Sequence, residues 1–387
     1  MSAGGGRPEG PMIRDLRARL DTLPLDRVSR PPRAAASASD RPFEIIEQHI
    51  DLATLGLTVV AQSEPDPRVV AHLGLKGVSP TRWEDIVFLD TETTGLMGGT
   101  GTYVFLLGTA HIRDGELVLR QHLLHDLGSE AAFVAALREE LAPFRACASY
   151  NGKCFDLPLL RTRFVMTLRS SSDLTVDDSH LDLLHPARRL WRDRFGSTSL
   201  RQLEDSVLDV VRDDDIPGAL IPERYFRWLA LREPRLIEPI LNHNARDIVS
   251  LVRITDRIAQ AVIDARAGRA PDHAPAAFAL AKAFARSGEG EIAYLCYESA
   301  YADADSDLRI KVALPYARAL EARGHVERAL KMVELLLELG LGTPRWRAQA
   351  EGRVRRLARI MAKRCAPSMT SPARRRRSGA GSIPAPS

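Results

Sequence analysis

Two acidic residues, Asp90 and Glu92, end a short apolar segment, VFLDTETTGL (residues 88–97), with one residue between them. Side chains at positions i and i+2 of a strand point to the same face, so a strand here would present both carboxylates together. Two neighbouring carboxylates repel each other unless a cation lies between them, and hard divalent cations prefer such oxygen ligands. Taken alone, the pair is equally consistent with two solvated acids on a strand that has already left the core.

Two later segments carry further candidate residues. SYNGKCFDLPLL (149–160) predicts a strand end and a turn, after which Asp156 opens a helix. LNHNARDIVSLVRI (241–254) predicts a helix on which His243 and Asp247, four residues apart, share one face. Both observations also have an explanation without a functional site. Asp156 could simply be an acid at the positive end of a helix, and His243 and Asp247 could be a surface His–Asp pair.

The three patterns, D-x-E, N-x-x-x-F-D and H-x-x-x-D in this order, resemble the three exonuclease motifs of the DEDD (DnaQ-like and PolB-like) superfamily. The segments GTGTYVFLLGTA, HLDLLHPARRLW and DIPGALIPERYFRWL are most similar to its YprB-like branch. The resemblance covers about residues 80–260. It implies a ribonuclease H-like fold and a 3′–5′ exonuclease that uses two divalent cations, Mg²⁺ or Mn²⁺, on DNA or RNA.

The resemblance also implies roles for individual residues. Asp90, Glu92, Asp156 and Asp247 would be the metal ligands, and His243 would act beside them. The sequence departs from the family pattern at His243: the spacing of four is the one at which relatives carry tyrosine, whereas their histidine lies five positions before the last Asp. His243 would therefore either take a proton from the attacking water or only orient that water.

Residues bordering the motifs are candidate contacts for a single-stranded 3′ end: Thr93, Leu96, Asn151 and Lys153. Relatives place an apolar wedge against the terminal base where Leu96 stands, although core packing explains that residue equally well. Lys153 could meet a phosphate, although a solvated charge is the commoner fate. Asp182 could support the site or cap the following helix.

The elements that must position these residues form an α/β pattern. DIVFLD (85–90), TYVFLLGTAHI (102–112) and ELVLRQHLL (116–124) predict strands, and the turn Arg113-Asp114-Gly115 joins the last two. A helix, the short strand ACASY (146–150) and further helices follow. This order predicts a ribonuclease H-like mixed sheet flanked by helices.

An internal repeat predicts a second, all-α region. LAKAFARSGEGEIA (280–293) aligns with YARALEARGHVERA (316–329) at an offset of 36, close to the ~34 residues of tetratricopeptide repeats. A plain helical hairpin is the alternative, and the region would contact a protein partner. The expected organisation is a mostly disordered N-terminal segment with a short helix (1–41), a lead-in segment (42–83), the RNase H-like exonuclease domain (84–265), tetratricopeptide-like helical repeats (270–365) and a disordered basic tail (366–387).

Composition narrows the classes of protein to which the chain could belong. The net charge of the 387 residues is +4, and the tail, which contains Arg374–Arg377 and no acid, is expected to bind nucleic acid loosely. The four cysteines form no CxxC pair, so neither a zinc site nor a disulfide framework is expected. Without a signal-like N-terminus or a long apolar run, we expect a cytoplasmic protein with no membrane contact. Two rival functions stay open: a non-catalytic binding module and an endonuclease with the same metal site.

Overall fold

The computed structural model describes residues 42–61, 82–95, 99–169, 176, 179–213 and 215–365. The chain divides into two compact units, Met1–Asp303 and Ala304–Ser387, called the first and the second unit below. Several sequence predictions lie outside the described residues: the N-terminal disorder with its short helix, the candidate contact Leu96 and the disordered basic tail.

The first unit is built on a six-stranded mixed sheet with the strand order β1-β4-β3-β2-β5-β6. The strands are β1 (Phe43–Asp51), β2 (Ile86–Thr93), β3 (Val104–Arg113), β4 (Glu116–Leu124), β5 (Ala146–Ser149) and β6 (His180–Asp182). The neighbours from β1 to β2 pair antiparallel, whereas β2–β5 and β5–β6 pair parallel. The predicted mixed sheet is therefore present. It also contains β1, which the sequence analysis placed in a lead-in segment.

The hairpin between β3 and β4 follows the predicted turn. Arg113 pairs with Glu116, so the loop has two residues, Asp114 and Gly115. Both have positive φ, 52° and 83°. Positive φ at both central residues is the geometry that matches the twist of a two-residue hairpin, and Asp-Gly is a preferred pair for it.

The strand that carries the two acids leaves the core in its second half. Its first four residues, Ile86–Leu89, are buried, and its last four, Asp90–Thr93, are only partly so. β5, its parallel neighbour, is buried throughout, as expected for a parallel strand covered on both faces. The change of exposure along β2 falls at Asp90, which places the first acid at the edge of the core.

Helices cover the sheet and complete the first unit. They are α1 (Glu130–Leu141), α2 (Asp156–Leu168), α3 (Leu184–Phe195), α4 (Leu200–Val207), α5 (Ile221–Leu231), α6 (Pro234–Arg266), α7 (Ala274–Arg286) and α8 (Gly290–Ala302). The longest, α6, has 33 residues and packs across β2, β3 and β4. Its buried face is mostly aliphatic but includes Asn244, which is fully buried.

A buried carboxylate fixes α6 to the segment after β1. Asp256 of α6 accepts hydrogen bonds from the backbone N–H groups of Thr58, Val59 and Val60, at 2.7–3.2 Å, and one from the Thr58 hydroxyl at 3.0 Å. Charge-assisted bonds of this kind are stronger than neutral ones. They hold α6 against the segment after β1 at a point about two and a half turns beyond Asp247.

The second unit consists of helices in the part that the structure describes. They are α9 (Ser306–Ala322), α10 (Val326–Glu338) and α11 (Pro344–Cys365), and α10 packs on both of its neighbours. Gly324, with φ 83°, follows α9, just as Gly288, with φ 81°, follows α7. The predicted C-terminal helical region is therefore present, and its tetratricopeptide-like character stays a prediction. Among the described helices, none combines the length and apolarity needed to cross a membrane.

Candidate active site

Asp90 and Glu92 both face α6, as expected for alternate residues of one strand. Asp90 Oδ2 accepts a hydrogen bond of 2.9 Å from Asn244 Nδ2 of α6. Glu92 Oε1 lies 4.0 Å from His243 Nε2 of the same helix. This hydrogen bond joins two residues that are 154 positions apart in the sequence, at the point where β2 leaves the core.

Asp156 reaches the same strand from the N-terminus of α2. Its Oδ1 accepts hydrogen bonds from the backbone N–H of Thr91, at 3.1 Å, and from the Thr91 hydroxyl, at 2.5 Å. The turn before it requires glycine, because a Cβ at Gly152 would lie 2.2 Å from Ser149 Oγ and 2.9 Å from Asp156 Oδ2. Thr91, the residue between the two acids of β2, therefore holds the third acid.

His243 and Asp247 share one face of α6, with 3.8 Å between His243 Nε2 and Asp247 Oδ2. Their side chains are only 16% and 17% exposed, so the alternative of a surface His–Asp pair is wrong. Five predicted residues from β2, α2 and α6 therefore meet at one end of β2.

Two residues of the loop between α4 and α5 complete this cluster, and the sequence analysis missed both. Arg212, 4% exposed, donates to Asp247 Oδ1 at 2.5 Å and to Asp215 Oδ2 at 2.9 Å, and it also binds Glu204. Burial alone would lower the pKa of Arg212, but the surrounding carboxylates, Asp247 foremost, raise it above its usual value. Arg212 is therefore a fixed positive charge inside the acidic cluster.

Asp215 also binds the histidine: its Oδ1 lies 2.8 Å from His243 Nδ1. Burial would raise the pKa of Asp215, but the hydrogen bonds from His243 and Arg212 lower it. An ionised carboxylate can only accept, so His243 Nδ1 carries the hydrogen. The other ring nitrogen, Nε2, then faces Glu92 and Asp247 with its lone pair free in the neutral imidazole.

Asn244 fixes the orientation of Asp90 through a chain of amide hydrogen bonds. Gln121 Nε2 of β4 donates to Asn244 Oδ1 at 3.0 Å, which turns Asn244 Nδ2 towards Asp90. Asp90, Gly108 and Gln121 are neighbours across three strands. A Cβ at Gly108 would lie 2.1 Å from Asn244 Oδ1, so glycine lets α6 approach the sheet here. The sequence analysis did not identify Asn244. The feature that could have identified it is an asparagine on the otherwise apolar face of α6.

The candidate nucleic-acid contacts border the cluster. Thr93 ends β2 and donates its hydroxyl to the Gly95 carbonyl at 2.8 Å. Asn151, in a left-handed conformation (φ 64°), and the exposed Lys153 donate their backbone N–H groups to Asp182, at 2.8 and 3.3 Å. Asp182 also accepts from Leu184 N, the first residue of α3, at 3.1 Å, so its carboxylate connects the start of α3 to the turn that leads to Asp156.

The acids of the cluster raise one another's pKa. Burial is the largest cause for Asp90, Glu92 and Asp156, and nearby acids add to it: Asp247 and Asp156 for the two residues of β2, and Asp182 for Asp156. For Asp90 and Glu92 the pKa lies well above its usual value. The buried carboxylates are therefore close enough to disfavour simultaneous ionisation.

The donor set fits a hard divalent cation, since it consists of carboxylate oxygens whose repulsion a cation would relieve. Among the described residues, however, no three Asp, Glu, His or Cys side chains are arranged to hold a metal ion as they stand. Carboxylate oxygens are turned towards internal donors instead: Asn244 for Asp90, Thr91 for Asp156 and Arg212 for Asp247.

The raised pKa values predict a pH-dependent stability. The folded chain holds protons on these acids more tightly than the unfolded chain does, so their stabilising contribution is present near pH 4 and is lost as the pH rises through the folded-state values. In metal-free buffer, Asp90→Asn should therefore raise the melting temperature at pH 7.5, by about 2–4 °C per kcal/mol of repulsion removed, and should raise it less at pH 5. Calorimetry at both pH values measures this.

Glu47→Gln is a control of opposite sign. The pKa of Glu47 is lowered by hydrogen bonds from His49 and Arg120, so its stabilising contribution is lost only as the pH falls below the usual range of a glutamate, and Glu47→Gln should lower the melting temperature at both pH values. Equal destabilisation by Asp90→Asn at both pH values would contradict the electrostatic description of the cluster.

Comparison with known proteins finds similarity over the part of the chain that contains strands β2–β6 and the acidic cluster. Residues 87–259 match the family model RNase_H_2 of the RNase_H superfamily. The uncharacterized protein YprB of Bacillus subtilis (strain 168) is 33% identical over 256 residues, which are 65% of this chain and 60% of that protein. The chain thus spans about 60% of the length of this curated relative.

A solved structure, the family B DNA polymerase from the hyperthermophilic archaeon Pyrobaculum calidifontis, is similar with a TM-score of 0.35 and 16% identity, over 52% of this chain and 29% of the polymerase. The superfamily match contains each of the acids that meet at β2 and α6. Residues 87–259 of the first unit are thus similar to the RNase_H superfamily, and the acidic cluster lies within these residues.

Proposed function

We propose that the chain is a metal-dependent nuclease of the DEDD type, a 3′–5′ exonuclease that hydrolyses phosphodiester bonds of DNA or RNA. The observation that carries the proposal is the convergence of Asp90, Glu92, Asp156 and Asp247 from three elements: Asn244 of α6 binds Asp90, the Thr91 backbone N–H between the two acids of β2 binds Asp156, and His243 Nε2 lies within 4.0 Å of Glu92 and Asp247. RNase H-like domains are generally those of hydrolytic nucleases.

The four carboxylates would hold two divalent cations, Mg²⁺ or Mn²⁺, with Asp90 and Glu92 contributed by β2, Asp156 by α2 and Asp247 by α6. The four formal negative charges match the charge of two such ions. When bound, the cations supply charge stabilisation for the attacking and leaving oxygens of the phosphodiester. The protein must supply the fixed positions of the ligands and of a proton acceptor.

Arg212 fixes the position of the last acid. Its hydrogen bond takes up Oδ1 of Asp247, while Oδ2 faces His243 at 3.8 Å. Because Arg212 also binds Asp215 and Glu204, its guanidinium cannot turn away without breaking several charged contacts. It offsets part of the negative charge of Asp247 and holds the loop that carries Asp215.

His243 is the candidate proton acceptor. Asp215 keeps the hydrogen on Nδ1, so that the lone pair of Nε2 points between Glu92 and Asp247. A neutral imidazole in this tautomer can take a proton from a water molecule that attacks the phosphorus atom. This geometry favours the general-base role over the second role considered from the sequence, in which His243 only orients the water.

An assay with end-labelled oligonucleotides tests the proposed activity. With Mn²⁺, the purified chain should shorten 3′ ends of single-stranded DNA or RNA stepwise, and Asp90→Asn should lower the rate by at least on the order of 10²–10³, the usual cost of losing one electrostatic contact to the reacting group. Asp264→Asn, which removes an acid paired with Arg269, is the matched control and should keep full activity.

The other outcomes of this assay separate the rival functions. Internal cuts in a substrate with a blocked 3′ end would identify an endonuclease. Binding without cleavage under any metal would identify a non-catalytic module. Unchanged cleavage by Asp90→Asn would exclude this cluster as the active site.

Asp215→Asn tests the role of the histidine tautomer. Arg212 can only donate, so the new amide must place its oxygen towards Arg212 and its NH₂ towards His243 Nδ1. The ring hydrogen is then moved to Nε2, where it blocks the lone pair. We expect kcat to fall by on the order of 10²–10⁴, as for loss of a general base, with KM little changed.

Two further measurements show whether the fall in kcat of Asp215→Asn comes from the change of histidine tautomer. ¹⁵N NMR of labelled histidine should show the change of tautomer in Asp215→Asn but not in Asp264→Asn. His243→Tyr keeps a hydrogen-bonding group with a pKa of about 10, so it should be nearly as inactive as His243→Ala if a base is needed. Full kcat in Asp215→Asn with the tautomer moved to Nε2–H would show that His243 does not accept the proton.

A further inference from the structure

The last helix of the second unit is strongly basic. α11 carries eight Lys or Arg residues and one acid, Glu351, among its 22 residues. The preceding part of the unit, residues 304–343, carries six Lys or Arg and six Asp or Glu residues. The positive charge of the described part of this unit is therefore concentrated on one helix, about 33 Å long at 1.5 Å per residue.

A groove of about 390 Å³ lies between α11 and α9. It is lined by Leu314, Arg318, Gln349, Gly352, Arg353 and Arg356. Of these six described residues, three are arginines and one is aliphatic. The groove is open beside Gly352, since a Cβ built there would meet Arg355 Nη2 at 4.0 Å and nothing nearer.

One acid of α9 organises the groove without neutralising it. Glu321 accepts hydrogen bonds from Arg353, at 2.6 Å, and from Arg356, at 2.8 and 2.9 Å. These bonds hold two guanidinium groups on the α9 side of α11, and Arg356 stays 65% exposed. Arg318, also exposed, faces the same groove, so three positive charges meet one negative charge.

We propose that this groove and the basic face of α11 form a second binding site, for the phosphodiester backbone of single-stranded nucleic acid. The choice of nucleic acid among polyanions rests on the proposed nuclease function. A guanidinium group has five N–H donors, so Arg353 and Arg356 retain donors for phosphate oxygens beside those bound to Glu321, and Arg318 faces the same groove. The site differs from the protein-partner contact that the repeat pattern predicts for this region.

The chemistry of the lining favours a phosphate backbone over an acidic protein segment. A protein segment docks through buried apolar or aromatic anchors, whereas Leu314 is the one aliphatic side chain among the described lining residues. A single strand carries one negative phosphate per nucleotide along its backbone, which suits a helix that carries eight basic residues over about 33 Å.

The test compares two triple variants of the full chain with equal loss of charge. Arg318→Gln/Arg359→Gln/Lys363→Gln removes exposed charges of α9 and α11 while leaving the contacts of Glu321 intact. Arg235→Gln/Arg269→Gln/Lys331→Gln removes three exposed charges that are each paired with a neighbouring acid. Binding of a labelled oligonucleotide is measured by fluorescence anisotropy, with metal chelated so that no cleavage occurs, between about 50 and 200 mM salt.

The groove variant should bind more weakly, and its slope of log K against log salt should be smaller by about 2, since each lost phosphate contact on a single strand removes roughly 0.7. The control variant should keep the wild-type slope. Equal slopes in the two variants, with both folded by melting temperature, would overturn the proposal. A poly-glutamate peptide that competes as well as an oligonucleotide of equal charge would overturn the assignment to nucleic acid.

Failure of this proposal and failure of the nuclease proposal are distinguishable. The binding slope does not depend on cleavage, so an inactive chain with the expected slope would retain this site and lose the nuclease assignment. An active chain whose groove variant binds like the control would retain the nuclease and lose the site.

Discussion

Repulsion among buried carboxylates at the end of β2 is the constraint on which the arrangement of this domain depends. Asp90, Glu92 and Asp156 have raised pKa values mainly because they are taken out of water, and for Asp90 and Glu92 the charges of Asp247 and Asp156 raise the pKa further. Such a cluster costs stability unless donors or cations compensate it. The fold compensates with one donor for each of three acids: Asn244, Thr91 and Arg212.

These donors explain details of the fold that are otherwise unrelated. Glycine at position 108 lets α6 approach β3 closely enough for Asn244 to bind both Gln121 and Asp90. The loop between α4 and α5 brings Arg212 into the cluster, and the same loop brings Asp215 to His243. The position of Asp247 and the position of Asp215, which selects the histidine tautomer, therefore both depend on one guanidinium group, Arg212.

The sequence alone predicts the elements with strong local signals. Alternating or continuous apolar segments identify β2, β3 and β4, and Asp114-Gly115 identifies their hairpin turn, because these signals arise within a few residues. β1 was missed because an edge strand is mostly exposed: Glu44, Glu47 and Gln48 give it a polar composition. Its pairing with β4 is a long-range contact that no local pattern contains.

The candidate site shows the same difference between local sequence signals and long-range contacts. The four acids and His243 stand in recognisable motifs, so they could be named and expected to meet. Arg212 and Asp215 lie in an irregular loop without periodicity, and their partners are 35 and 28 residues away. Asn244 and Thr91 lie inside the motifs themselves, yet their roles depend on which oxygen each reaches in three dimensions. The motifs were sufficient to predict which residues come together, whereas the orientation of their side chains was not predictable from the sequence.

The central claim is that the four carboxylates converge to bind divalent cations, and the most direct measurement is the number of Mn²⁺ ions bound per chain. Electron paramagnetic resonance of free Mn²⁺, titrated with the full chain without substrate, provides this number independently of activity. The account predicts up to two bound ions in the wild type, fewer in Asp156→Asn, and no change in Asp264→Asn. Mn²⁺ binding that is absent at millimolar concentration, or that is equally strong in Asp156→Asn, would contradict it.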